Sequence, residues 1–131
     1  MDNCFIASIP RAQSKGEFLH IAIFMDQHPM SLGGVQTSVR LQRKFLARAG
    51  VEVTVFAPKS ANALPDDDTI VLPSRRLSPD GEYSAVWDME EAYEVAETVF
   101  AQQKFDLIHL QGDFAAAAIS LALAKKHNIP L

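Results

Sequence analysis

The chain has 131 residues, a hydrophobic fraction of 48%, a charged fraction of 21% and a net charge of −4, values typical of one compact globular domain. The acidic balance disfavours non-specific binding of nucleic acid, and no apolar run is long enough for a membrane-spanning helix. The one cysteine, Cys4, cannot form an internal disulfide, so nothing indicates an oxidising compartment and a cytoplasmic location is expected.

The first half of the chain predicts a strand, a helix and a second strand. Residues 1–17 are expected to form a flexible leader. The near-continuous apolar run at 19–25, "LHIAIFM", predicts a buried strand, and the alternating run at 51–58, "VEVTVFAP", predicts another. Residues 35–49 predict a helix between them, and Gly50 supplies the left-handed residue with which such a helix ends.

The middle of the chain gives weaker signals. Residues 69–73, "TIVLP", predict a short third strand, whereas residues 74–87 contain turn signals without a clear period. Asp88 is then the predicted N-cap of a second helix, with Glu91 as its capping-box partner.

The last part of the chain predicts a further strand and helix. Residues 105–110, "FDLIHL", form an apolar run typical of a buried strand. Asp113 is the predicted N-cap of a helix over residues 114–127, which is apolar almost all round and is therefore expected to be packed on most sides. Residues 129–131 are expected to begin another strand.

Alternating strands and helices predict an α/β fold, here a Rossmann-like three-layer domain over residues 18–131 with a mostly parallel sheet. The predicted strand order is 3-2-1-4. Ligands of such sheets bind beyond the carboxyl ends of the strands, where the strand order reverses. The crevice would lie between the first strand and the strand at 105–110, with residues 26–34 and 111–113 as its lips.

Gly33 and Gly34 stand where the first helix is predicted to begin. A helix N-terminus presents free N–H groups, and glycine lets an anion approach them closely. The segment "SLGGVQTSV" has neither the three-glycine dinucleotide fingerprint nor a P-loop lysine. Two interpretations stay open: a site for a phosphate-bearing ligand, or a tight strand-to-helix turn without one.

Two blocks of sequence resemble family 4 glycosyltransferases, which have the GT-B fold. They are "HIAIFMDQHPMSLGGVQTSVRLQRKFLARAGVEVTVFAP" and "FDLIHLQGDFAAAAISLALAKKHNIPL". The resemblance implies retaining transfer of a sugar from a nucleotide-diphosphate sugar to a glycan or lipid acceptor, without metal or cofactor. It also implies that Gly33 and Gly34 contact the donor diphosphate.

The resemblance covers only the N-terminal, acceptor-side half of a GT-B enzyme. A second Rossmann-like domain, which would hold the nucleotide, has no counterpart in these residues. The domain is therefore expected to be incomplete at its C-terminus, with no catalytic residue of its own and no activity alone. Two alternatives are a nucleotide-sugar epimerase-like GT-B protein and a non-catalytic α/β binding module.

Four polar residues are candidates for acceptor or sugar contacts. Asp26 and His28 belong to the loop that contains the two glycines, and Gln111 faces them across the predicted crevice. His109 matches the strand histidine of the family, although a core histidine held in one tautomer by a hydrogen bond explains it as well. An amide such as that of Gln111 both donates and accepts hydrogen bonds, which suits a sugar.

Two charged segments have alternative interpretations. The acidic run at 66–68 precedes a predicted strand rather than following one, so a solvated loop is favoured over a metal site. The basic residues Arg40, Arg43, Lys44 and Arg48 lie on the first helix. They suggest peripheral contact with the inner face of a membrane, for which an ordinary solvated helix surface is the alternative.

Overall fold

The computed structural model describes residues 19–131, so the predicted leader at 1–17 lies outside the described residues. The strands are β1 (His20–Met25), β2 (Glu52–Ala57), β3 (Ile70–Val71), β4 (Arg75–Arg76), β5 (Ser84–Ala85) and β6 (Leu107–Gln111). The helices are α1 (Gly34–Arg48), α2 (Met89–Gln102) and α3 (Ala115–His127). Every helix and strand that the sequence predicts within this range forms, apart from the strand expected at 129–131, and β4 and β5 are additional.

Four strands form one parallel sheet in the order β3-β2-β1-β6. This order confirms the predicted one. All six residues of β1 are buried, as expected for a central strand covered on both faces. On the free edge of β6, the Ile108 N–H donates to the Pro130 carbonyl at 2.9 Å, so residues 129–131 lie along that edge without forming a strand.

Two hydrophobic layers enclose the sheet and confirm the Rossmann-like α/β class. Val39 of α1 packs with Ile23 and Val55 on one face. On the other face, α2 and α3 cover an aromatic cluster in which Phe24 and Phe56 stack with their ring centroids 4.5 Å apart. Because alternate strand residues point to opposite faces, each inner strand contributes to both layers.

The helix ends follow the local sequence signals at two of the predicted positions. Gly50 has a φ of 81°, and the N–H of the next residue, Val51, donates to the Leu46 carbonyl at 2.9 Å. This is the Schellman arrangement that glycine favours. At the start of α2, Asp88 Oδ1 accepts a hydrogen bond from the Glu91 N–H at 3.1 Å, which confirms Asp88 as the N-cap.

The prediction that the last helix is packed on most sides is wrong for the described residues. Ile119 and Leu123 of α3 are buried, but Leu121 is 55% exposed. The helix packs against α2 and the sheet along one side, and no other described element covers the opposite side. An all-round apolar composition therefore did not translate into all-round burial here.

An ion-pair cluster between α2 and α3 gives a pH-dependent expectation. The Glu97 carboxylate contacts His127 Nε2 and Lys126 Nζ, each at 2.6 Å. The hydrogen bond with His127, and then that with Lys126, lowers the pKa of Glu97. A carboxyl whose pKa is lower in the folded state stabilises the fold above its unfolded pKa, about 4.3, and loses that contribution as the pH falls through its folded pKa.

We therefore expect Glu97→Gln to lower the free energy of unfolding by about 0.5–1 kcal/mol at neutral pH. The difference between variant and wild type should shrink as the pH falls below about 4. Thermal unfolding of both proteins across this pH range measures it, with Glu94→Gln on the exposed side of α2 as the control. A difference that stays constant with pH would contradict the assignment.

Candidate functional site

The loop between β1 and α1, residues 26–34, is called the glycine loop below. Gly33 occupies the N-cap position of α1 with extended backbone, and no side chain caps the helix. Among residues 19–131, no acceptor takes the N–H groups of Gly33, Gly34 or Val35. A Cβ built on Gly34 would have no neighbour within 4 Å. The first turn of α1 thus presents unpaired donors next to open space.

The two glycines meet different surroundings. A Cβ on Gly33 would lie 2.8 Å from Cδ of Gln36, which is buried beneath the loop. Gly33 therefore has a packing reason to be glycine, because a side chain would displace Gln36. The open space beside Gly34 gives that position no packing reason of this kind, so the function of the loop is best examined at Gly34.

A basic side chain of α1 fixes the glycine loop from below. The Arg40 guanidinium donates to the Pro29 carbonyl and, at 3.2 Å, to Thr37 Oγ1. Within the loop, the Ser31 N–H donates to the His28 carbonyl at 2.9 Å. The positive end of the helix dipole and the Arg40 charge therefore lie on the same loop, and both favour an anion there.

His28 is fully buried on the inner side of the glycine loop. Its Nδ1 accepts from the Met30 N–H at 3.0 Å, which leaves the proton of the neutral ring on Nε2. Nε2 lies 3.3 Å from Asp67 Oδ2 without hydrogen-bond geometry. Burial lowers the pKa of His28, and the Asp67 charge opposes this effect. In this structure His28 supports the loop, and its contact with an acceptor stays a prediction.

The acidic run at 66–68 packs in part against the glycine loop and α1. Asp67 faces His28 and is only 12% exposed at its side chain, which differs from the expected solvated loop. Its Oδ1 accepts from the Thr69 N–H at 2.8 Å. The neighbouring Asp68 pairs with Arg43 of α1. Two of the three carboxylates are thus committed to contacts within the domain.

Asp26 joins the end of β1 to the start of α3. Its Oδ2 accepts from the N–H groups of Asp113 and Phe114, at 2.8 and 3.0 Å, and its Oδ1 accepts from the Ala116 N–H at 3.0 Å. The prediction that Asp113 caps this helix is wrong, because its side chain makes no cap and the carboxylate of Asp26 takes its place. A ligand contact of Asp26 stays a prediction.

Gly112 leaves room for the Asp26 carboxylate. A Cβ on Gly112 would lie 2.8 Å from Cγ of Asp26. The bridge between these residues crosses the space between β1 and β6 where the sequence predicted a crevice. The two lips of that crevice are therefore tied together on this side of the sheet.

His109 and Gln111 lie side by side on β6, facing the same side of the sheet as α1. Gln111 Nε2 is 2.7 Å from His109 Nε2, so the amide donates and the ring proton resides on Nδ1. Burial lowers the pKa of His109, which favours this neutral form. Both side chains are half-buried, and their contact with a ligand stays a prediction.

The β4–β5 hairpin, residues 75–85, is hydrogen-bonded to the glycine loop. The four bonds run from Ser31 Oγ to Glu82 O (2.8 Å), from Leu32 N to Glu82 Oε2 (2.7 Å), from Tyr83 Oη to Leu32 O (2.9 Å) and from Ser84 N to Gln27 Oε1 (3.3 Å). The sequence analysis recognised the turn at 79–81 but not this contact. Strands of two residues are too short to show alternation, so only the turn signal was visible.

The basic residues of α1 are not one free surface. Arg40 and Arg43 are engaged by Pro29 and Asp68, as described above, and the Arg48 guanidinium lies 5.6 Å from the centre of the Phe45 ring. Phe45 itself is 53% exposed. Within residues 19–131, no helix combines the length and the apolar character needed to cross a membrane.

A cavity of about 400 Å³ lies at the opposite edge of the sheet, near the start of β2. Its walls include Arg43, Ala47, Val53 and Asp68. Gly34 and Asp26 do not line it. In the described residues, the glycine loop therefore forms an open surface that a ligand or another domain could cover, rather than a closed pocket.

A parallel α/β domain with unpaired N–H donors at the carboxyl edge of its sheet belongs to the class that binds phosphate-bearing ligands. The model of Glycosyltransferase Family 4 matches residues 32–131, from the glycine loop onward and over more than half of the chain. The chain therefore belongs to glycosyltransferase family 4, which confirms the resemblance to the N-terminal domain of this family. No curated protein and no solved structure gave a significant match.

Proposed function

We propose that the protein transfers a sugar from a nucleotide-diphosphate sugar to a glycan or lipid acceptor, with retention at the anomeric carbon. This chain supplies the acceptor side of the site, and its glycine loop contacts the donor diphosphate. The observation that carries the proposal is the open space beside Gly34, where the first-turn N–H groups of α1 have no partner among the described residues.

The chemistry of transfer explains why such donors are useful. The bond between the anomeric carbon and the diphosphate oxygen breaks, and the acceptor hydroxyl oxygen bonds to that carbon while its proton passes to the leaving diphosphate. Negative charge grows on the diphosphate during this step. Preorganised N–H groups at Gly33 and Gly34 stabilise that charge without reorganising, and Arg40 adds a positive charge to the same loop.

The acceptor is proposed to lie on the β6 side of the glycine loop. Gln111 and His109 are half-buried there and carry both donors and acceptors, which suits hydroxyl groups. A second Rossmann-like domain is proposed to hold the nucleotide, so residues 19–131 alone are expected to be inactive.

A lipid acceptor would require a membrane-facing surface, and α1 is proposed to provide it in a cytoplasmic protein. Leu41 and Phe45 are 51% and 53% exposed, and Lys44 and Arg48 lie beside them. Apolar side chains flanked by basic ones are typical of helices that rest on anionic lipid. Arg40 and Arg43 of the predicted patch contribute less, because they are bound within the domain.

The proposal is tested by measuring nucleoside-diphosphate release from a panel of UDP-, GDP- and ADP-sugars with the full-length protein. We expect release from one nucleotide series, through slow hydrolysis even without the natural acceptor. The Gly34→Val variant serves as the matched blank. Absence of release from every donor, with protein that is folded by thermal unfolding, would contradict the proposal.

A further inference from the structure

The glycine loop already holds one anion, and that anion belongs to the protein. Glu82, at the tip of the β4–β5 hairpin, accepts a hydrogen bond from the Leu32 N–H through Oε2 at 2.7 Å. Leu32 directly precedes Gly33, so this amide is the neighbour of the unpaired donors at the start of α1. A carboxylate and a phosphate oxygen satisfy backbone N–H groups in the same way.

The position of Glu82 is fixed by more than its own side chain. The Ser31 hydroxyl donates to the Glu82 carbonyl at 2.8 Å, and the Tyr83 hydroxyl donates to the Leu32 carbonyl at 2.9 Å. Asp80 Oδ1 accepts from the Glu82 N–H at 3.0 Å and shapes the hairpin tip. The carboxylate is therefore held at the loop by its backbone and does not rest there through side-chain contact alone.

We infer that the Glu82 carboxylate competes with the donor diphosphate for the glycine loop, an inference that rests on the proposed function. A diphosphate that settles on the Gly33 and Gly34 amides meets a like charge one residue away, and it gains the Leu32 amide only when Glu82 leaves. Glu82 thus lowers donor affinity and makes donor binding depend on displacement of its carboxylate.

Isothermal titration of the full-length protein with inorganic pyrophosphate tests this inference. In Glu82→Gln the amide oxygen can still accept from Leu32, so the hairpin keeps its contact while the charge is removed. Removal of one like charge near the site is expected to tighten pyrophosphate binding about threefold to tenfold. Glu82→Ala, which also frees the Leu32 amide, should bind pyrophosphate at least as tightly as Glu82→Gln.

The controls separate this inference from the proposed function. Glu94→Gln removes an exposed carboxylate from the middle of α2 and should leave pyrophosphate affinity unchanged. Unchanged affinity in both Glu82 variants, with binding that Gly34→Val abolishes, overturns the inference and leaves the proposed site intact. Absence of pyrophosphate binding in wild type and in all Glu82 variants overturns the proposed site itself. Tighter binding in the Glu82 variants alone supports the inference.

Discussion

Gly34→Val in the full-length protein is expected to reduce kcat/KM for sugar transfer by at least about 100-fold while leaving the fold unchanged. In the described structure a Cβ at this position meets nothing within 4 Å, and the backbone does not have a positive φ, so the free protein accommodates the side chain. With donor bound, the valine would occupy the space proposed for a phosphate. Initial rates at several donor concentrations, together with thermal unfolding, measure both parts of the expectation.

Gly50→Ala is the matched control for this variant. Gly50 has a φ of 81° and ends α1 far from the glycine loop, so alanine strains the backbone there without approaching the site. We expect a loss of stability of about 1 kcal/mol with nearly normal kcat/KM. Normal transfer by a folded Gly34→Val protein would show that no phosphate approaches this amide.

Asp26→Ala is expected to have the largest effect on stability, lowering the free energy of unfolding by about 2–4 kcal/mol. The carboxylate accepts three N–H groups at the start of α3, and these lose their partner in the variant. The negative charge also complements the positive end of the α3 dipole. Denaturant unfolding of wild type and variant measures the difference.

Asp26→Asn provides the graded comparison for this prediction. Its side-chain oxygen can still accept one or two of the three N–H groups, but it carries no charge. Its stability is therefore expected to lie between those of wild type and Asp26→Ala. Equal stability of all three proteins would contradict the role of Asp26 as the cap of α3.

The main layers of the fold could be predicted because their signals are local. The apolar run of β1 and the glycine that ends α1 are each encoded within a few neighbouring residues. Strand order followed from the general behaviour of alternating α/β chains, and the observed order β3-β2-β1-β6 agrees with it. Burial of α3 was overestimated because composition does not reveal which elements lie beside a helix.

The contacts that shape the candidate site could not be predicted in the same way. Asp26 caps α3 from nearly ninety residues away in the sequence, a contact that depends on the neighbouring positions of β1 and β6. Locally, Asp113 carries the stronger capping signal, and the longer-range carboxylate displaces it. Glu82 likewise reaches Leu32 only because the hairpin folds over the glycine loop. Such contacts are set by tertiary geometry rather than by local pattern.

The most direct test of the central claim is the structure of the full-length protein with its nucleoside diphosphate bound. The proposed function predicts a phosphate oxygen within about 3.5 Å of the Gly34 backbone nitrogen, in line with its N–H. A diphosphate bound elsewhere, with the Gly34 amide facing solvent or another protein group, would contradict it.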